Sequence, residues 1–195
     1  ALYGGGVGVI THMSPFFNVF PSANMLPDRL ATVSSVFAGE NRTMRLVTEG
    51  SGMVEMDSEG NLRRHMTKNN GLPDNFILTA MKDQHQHIWL GLRKGGIVVQ
   101  YAGSSHWHTI DLGEPVTEVR AIYEDHLGHI WIAAHQGVFI YDGVANHVQK
   151  LLINKPMLGD YAPRTLVEDG QHNMWVGTYG PGLYIYNYDR KLLKT

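Results

Sequence analysis

The chain of 195 residues contains no cysteine. That excludes a disulfide framework, a thiolate metal site and a cysteine nucleophile. It leaves the compartment open, because cysteine-free chains also occur in oxidising surroundings. Charge of one sign is lacking too: 16 Lys+Arg stand against 18 Asp+Glu, a formal net charge of −2. This balance argues against a polybasic nucleic-acid surface and against a solvated acidic tail. No run approaches the roughly 18 apolar residues of a membrane helix. The opening ALYGGGVGVI has neither a basic region nor a long apolar core, so it does not read as a secretory signal. It starts inside a glycine-rich phrase, and the chain is expected to be cut from something longer. What is plentiful is glycine, at 22, with nine tyrosines and four tryptophans. That mixture suits many short strands and turns, and a chain of this size can bury roughly 70% of its unfolded surface.

Three of the tryptophans mark an internal repeat. Trp89 sits in DQHQHIWLGLRKGGIVV, Trp131 in DHLGHIWIAAHQGVFIY and Trp175 in DGQHNMWVGTYGPGLYIY, at spacings of 42 and 44 residues. One period before Trp89 the tryptophan is replaced by Arg45, while Gly50, Gly52, Met53 and Val54 keep the register. Each unit reads as four short strands; in one copy these are 117–123, 129–134, 137–142 and 146–151. No window sustains a 3.6-residue apolar period over helical length. The expected fold is all-β, a β-propeller fragment of about four four-stranded blades. The expected layout is the end of a blade at 1–22, blades at 32–66, 76–110 and 117–151, and most of a blade at 164–195.

The columns of the repeat carry physical expectations. The tryptophans lie on second strands and should pack between blades. Ser35, Thr79, Ala121 and Thr165 share one first-strand column and are all small, which suits crowding around an axis. Ser34, Leu78, Arg120 and Arg164 precede them. Asp83, Asp125 and Asp169 share another column, so each should have the same structural task of closing a hairpin turn. A catalytic residue normally breaks a repeat, which argues against catalysis by these acids.

GLPDNFILTAMKDQHQHIWLGLRKGGI and PVTEVRAIYEDHLGHIWIAAHQGVFIYD resemble the two-component regulator propeller repeat. Gly71, Leu72, Pro73, Asn75, Ile88, Trp89 and Gly91 carry the likeness. So do Val119, Ile122, Asp125, Gly128, Ile130 and Trp131, and then Asp169, Trp175, Gly177, Thr178 and Leu183. The resemblance implies the periplasmic sensor region of a membrane receptor, in many cases a hybrid histidine kinase of Bacteroidetes that detects glycan fragments. It implies seven-bladed rings, of which this chain would be a part. The remaining blades of the receptor, an oligosaccharide ligand and a second copy in a homodimer are the partners it implies.

His85 with His87, or His126 with His129, could offer two ligands to zinc, but the sequence specifies no third, and polar turn residues are the plainer reading. No metal site and no cofactor are expected. The D-x-x-G-x-I-W phrase also resembles the Asp-box of sialidases, but an arginine triad and tyrosine nucleophile are not assembled by any motif here. No G-x-S-x-G elbow is present. Ligand-binding residues should instead break the repeat and share one face. By fold analogy, the loops from second to third strands offer Tyr3, Glu49, Arg93, Lys94, His135, Gln136 and Tyr179. The links between blades offer Arg29, Asn69, Asn75, Asp160 and Tyr161. Arg120 and Arg164 either line the central channel and meet a carboxylated or sulfated sugar, or pair with Glu118 and Glu168. The expected function is ligand recognition without chemistry. A structural or dimerisation scaffold is the alternative, and a propeller lyase or glycosidase is the remote one.

Overall fold

Runs of apolar residues too short for helices, separated by turn residues, dictate a meander, and a computed structural model of the chain shows one. It describes residues 7–9, 18–20, 32–151, 162–180 and 182–194. Strands β1 (Val7–Val9) and β2 (Asn18–Phe20) pair antiparallel with each other. Four four-stranded antiparallel sheets follow. The first comprises β3 (Thr32–Ala38), β4 (Met44–Glu49), β5 (Met53–Met56) and β6 (Leu62–Met66). The second comprises β7 (Ile77–Lys82), β8 (Ile88–Leu92), β9 (Ile97–Gln100) and β10 (His108–Thr109). The third comprises β11 (Ala121–Glu124), β12 (Ile130–Ala134), β13 (Gly137–Asp142) and β14 (His147–Leu151). The fourth comprises β15 (Pro163–Glu168), β16 (Met174–Thr178), β17 (Leu183–Tyr186) and β18 (Leu192–Lys194). The all-β propeller architecture read from the repeat is therefore the observed one.

Strand alternation explains how the sheets stack. Successive side chains point to opposite faces of a sheet. On β12, Ile130, Ile132 and Ala134 pack with Trp89, Ile97 and Val99 of the second sheet. The alternate residues, Trp131 and Ala133, pack with Leu166, Met174 and Val176 of the fourth. Both faces are covered, so β8 and β12 are buried along their whole length. Each fully buried Ile or Leu side chain contributes roughly 1.5–3 kcal/mol. The first strand of each sheet lies against the first strand of the next, which aligns β3, β7, β11 and β15 along the inner side. One strand is shorter than its apolar run. The segment from 117 gives β11 only from Ala121, because the N–H groups of Glu118 and Val119 donate to the carbonyls of Arg93 and Leu92 in the preceding sheet.

Candidate functional site

The inner strands are irregular at one column. The register shifts between Val33 and Ser35, between Ile77 and Thr79, and between Pro163 and Thr165. Ser34, Leu78 and Arg164 are thus the extra residues of β-bulges, and Arg120 occupies the same column just before β11. A bulge bends its strand and re-aims a side chain. In the first sheet the re-aimed side chain is tied to backbone: the Ser34 hydroxyl donates to the carbonyl of Ile77 at 2.6 Å. In the third and fourth sheets it is a guanidinium.

Those guanidiniums belong to a charged cluster. Arg120 donates from Nη2 and Nε to Glu118 Oε2 at 2.8 and 3.2 Å. That pairing, assisted by the charges of Arg164 and His135, holds the Glu118 carboxyl below its ordinary value. Glu118 takes φ of 49°, in the left-handed region that non-glycine residues rarely enter. Arg164 does not reach the partner considered for it, Glu168. Its guanidinium lies 5.0 Å above the ring centre of Tyr179, a cation–π contact. The Arg164 Nε is buried and has no hydrogen-bond partner. Arg120, Arg164, His135 and Tyr179 thus gather around Glu118, with more positive than negative charge. Gln136 braces the region by accepting the Thr117 N–H at 2.9 Å.

Among the described residues, no side-chain hydrogen bond or ion pair joins the other candidates to this group. Arg93 donates to Glu49 Oε2 at 2.8 Å and sits 5.5 Å above the Phe76 ring, tying the first sheet to the second. Lys94 is exposed and bridges by backbone to Thr117. The side chain of Asn75 accepts the Lys68 N–H at 2.7 Å, and Asn69 is exposed. Tyr3, Arg29, Asp160 and Tyr161 lie outside the described residues. A cleft of 530 Å³ opens on the same face between Gly95, Gly96 and the Thr109–Thr117 connection, with a mainly apolar lining.

The repeated acids have an architectural geometry. Asp83, Asp125 and Asp169 accept the indole N–H of Trp89, Trp131 and Trp175 at 2.8, 2.9 and 2.7 Å. The other carboxylate oxygen of each accepts the N–H of the residue four places on. Trp89 and Trp131 are each 3% exposed. Their rings stand 6.1 and 6.4 Å from Tyr141 and Tyr186 in the following sheet. Trp175, on the fourth sheet, is half-buried.

The histidines are distributed differently from the pairs considered in sequence. His87 and His129 turn back to Asp83 and Asp125 of their own turns. His126 stacks instead on His172 of the next sheet, rings 3.7 Å apart, and both face Glu168. Sequence spacing within one turn could not reveal a contact made between two turns.

Residues 113–136 and 157–180 match the family model described as two component regulator propeller. The match covers these two segments, about a quarter of the chain. No curated protein matches it. Among solved structures, the chain is similar to the extracellular domain described as that of a hybrid two component system from B. thetaiotaomicron. The identity is 28% and the TM-score 0.69, over 84% of this chain and 22% of that one. An extracellular domain described as that of a one component system from the same organism matches at 20% identity and TM-score 0.69, over 95% of this chain and 26% of that one. The chain thus spans about a quarter of these two extracellular domains. Virginiamycin B lyase from Staphylococcus aureus matches at 10% identity and TM-score 0.75, over 98% of this chain and 62% of that one, and at that identity the likeness is one of fold. Among the described residues, no helix of the propeller is long and apolar enough to cross a membrane.

Proposed function

We propose that the chain is part of the extracytoplasmic, periplasmic sensor region of a two-component receptor, and that it recognises acidic oligosaccharide fragments without chemically changing them. The signal would pass through the membrane to a histidine kinase in another part of the same receptor. The extracellular domains described as those of a two component and a one component system among the similar structures support the sensor reading. The observation that carries the ligand reading is the cluster around Glu118. Two guanidiniums face one carboxylate there, and the Arg164 Nε is a buried donor without an acceptor. Buried donors ordinarily find a partner. A carboxylate or sulfate on a sugar supplies one, by a charge-assisted hydrogen bond. Tyr179, 65% exposed, offers an aromatic face beside it.

Calorimetric titration with uronic-acid and sulfated oligosaccharides, set against neutral sugars of equal length, tests this. Acidic fragments should release heat and neutral ones should not. Arg164→Met, which keeps an unbranched apolar stem and removes the guanidinium, should abolish the response. Blanks throughout would replace this reading with a scaffold that spaces or pairs subunits, and equal binding by Arg164→Met would place the ligand away from the Glu118 cluster.

A further inference from the structure

At the end of the strands opposite the charged cluster, the first-to-second-strand turns carry a second constellation. His126 comes from the turn of the third sheet. Glu168 comes from the end of β15 and His172 from the turn after it. One potential ligand atom from each lies within 4.8 Å of the others. His172 Nδ1 stands 3.2 Å from Glu168 Oε1, and His126 Nδ1 contacts the same oxygen. The two histidines are exposed, whereas the Glu168 side chain is 9% exposed. The carboxylate is thus set into the wall and the imidazoles face solvent, from which an ion can arrive.

The preceding interface shows which part of this is architecture. There Glu124 Oε2 accepts the N–H of Gln84 at 2.8 Å, just as Glu168 Oε2 accepts the N–H of His126 at 3.0 Å. The glutamate latch is therefore common to both interfaces and needs no imidazole. Where the joint between the third and fourth sheets has His126 and His172, the joint between the second and third has Gln84 and Gly128. Gly128 takes a left-handed φ of 83° that costs glycine little, and His172 takes φ of 62° at the same place. The imidazoles are additions to a joint that closes without them, and both aim at one carboxylate oxygen.

We propose that His126, Glu168 and His172 form a binding site for a zinc-type divalent cation that clamps the third sheet to the fourth. Two imidazole nitrogens and one carboxylate oxygen are a donor set zinc accepts, leaving a fourth position for water. The ion would sit between the two imidazole nitrogens and the Glu168 carboxylate and would join two sheets through three side chains. The site is remote from Arg120 and Arg164, so its occupancy is separate from recognition of an acidic ligand.

The test uses the 195-residue chain without a histidine tag, stripped with chelator and titrated with zinc chloride by calorimetry. His126→Gln and His172→Gly place in this interface the residues that the preceding interface already uses, so both should fold, which far-UV circular dichroism checks. The parent should saturate at one equivalent and show a zinc-dependent rise in melting temperature. Each variant should bind about tenfold or more weakly and lose the rise. Cobalt(II) should give an intense visible band with the parent and a weak one with either variant. Absence of saturable binding by the folded parent overturns the proposal. So does binding that persists unchanged in both variants, which would assign it to the other histidines.

Discussion

Asp83, Asp125 and Asp169 show how one side chain can fasten a turn and a blade boundary together. One oxygen closes the turn on a backbone amide, and the other fixes the tryptophan that fills the space before the next sheet. At Asp125 and Asp169 these bonds favour the ionised carboxylate. At Asp125 burial pushes the other way, yet the Trp131 and His129 donors leave the carboxyl below its ordinary value. At Asp169 the indole N–H of Trp175, followed by the Asn173 N–H, lowers it from 3.8 to about 2. The folded value lies below the unfolded one. Its contribution to stability is therefore complete above about pH 4 and lost as pH falls towards 2. Trp175→Phe removes the largest cause while keeping an aromatic ring. The Asp169 carboxyl, followed by NMR against pH, should then titrate closer to 3.8, with Asp57 as an unaffected reference at about 2. An unchanged Asp169 titration in the variant would mean that the indole does not hold the carboxylate.

Within a sheet, the first two strands must approach closely beside the inner axis, and the repeat meets this need in two ways. Thr79 is opposite Gly91 and Thr165 is opposite Gly177, whereas Ala121 is opposite Ala133. A Cβ added to Gly177 would lie 2.6 Å from Thr165 Cγ2 and meets nothing else so close. A Cβ on Gly91 would lie 2.7 Å from Thr79 Cγ2 and equally near Val119 Cγ1 and the Val119 carbonyl oxygen of the next sheet. Overpacking of this kind typically costs about 1–3 kcal/mol. Both Gly177→Ala and Gly91→Ala should therefore lower the urea midpoint. Adding Thr165→Ala should restore the Gly177 variant, since the pair becomes the one the third sheet already contains. Adding Thr79→Ala should restore the Gly91 variant only in part, because the Val119 backbone cannot be trimmed. Equal rescue of both would contradict the idea that Gly91 serves the joint between sheets as well as its own strand pair.

Across the whole molecule, the sequence disclosed whatever recurs. Tryptophan spacing placed the strands, and the shared aspartate column pointed to a turn function that the Asp–Trp hydrogen bonds now describe. Substitutions made jointly were harder to see. The unit that has Arg45 in place of tryptophan also has Gly39 six residues earlier in place of aspartate. The arginine instead pairs across the sheet with Glu55 at 3.1 Å, so indole and carboxylate left together. Contacts between neighbouring units, such as His126 on His172 or Arg164 on Tyr179, depend on the offset of one sheet against the next, which no spacing within a unit encodes. The same offset exposes a surface. In the third sheet, Tyr123, Trp131 and Ile140 lie on one face and are covered by Leu166, Met174 and Val176. The corresponding face of the fourth sheet carries Val167, Trp175 and Ile185, aligned by the same register. There Val167 is 52% exposed and Leu183, on the same face, 45%. A row of this kind on a terminal sheet favours association with another sheet. We predict that the 195-residue chain self-associates through this face as its concentration rises. Val167→Glu, placing a charge at the centre of the row, should shift the sedimentation profile towards monomer without lowering the melting temperature, since the residue packs against little in the chain itself. A parent that stays monomeric at every concentration, or an assembly that Val167→Glu leaves intact, would show that this face is not where further sheets join.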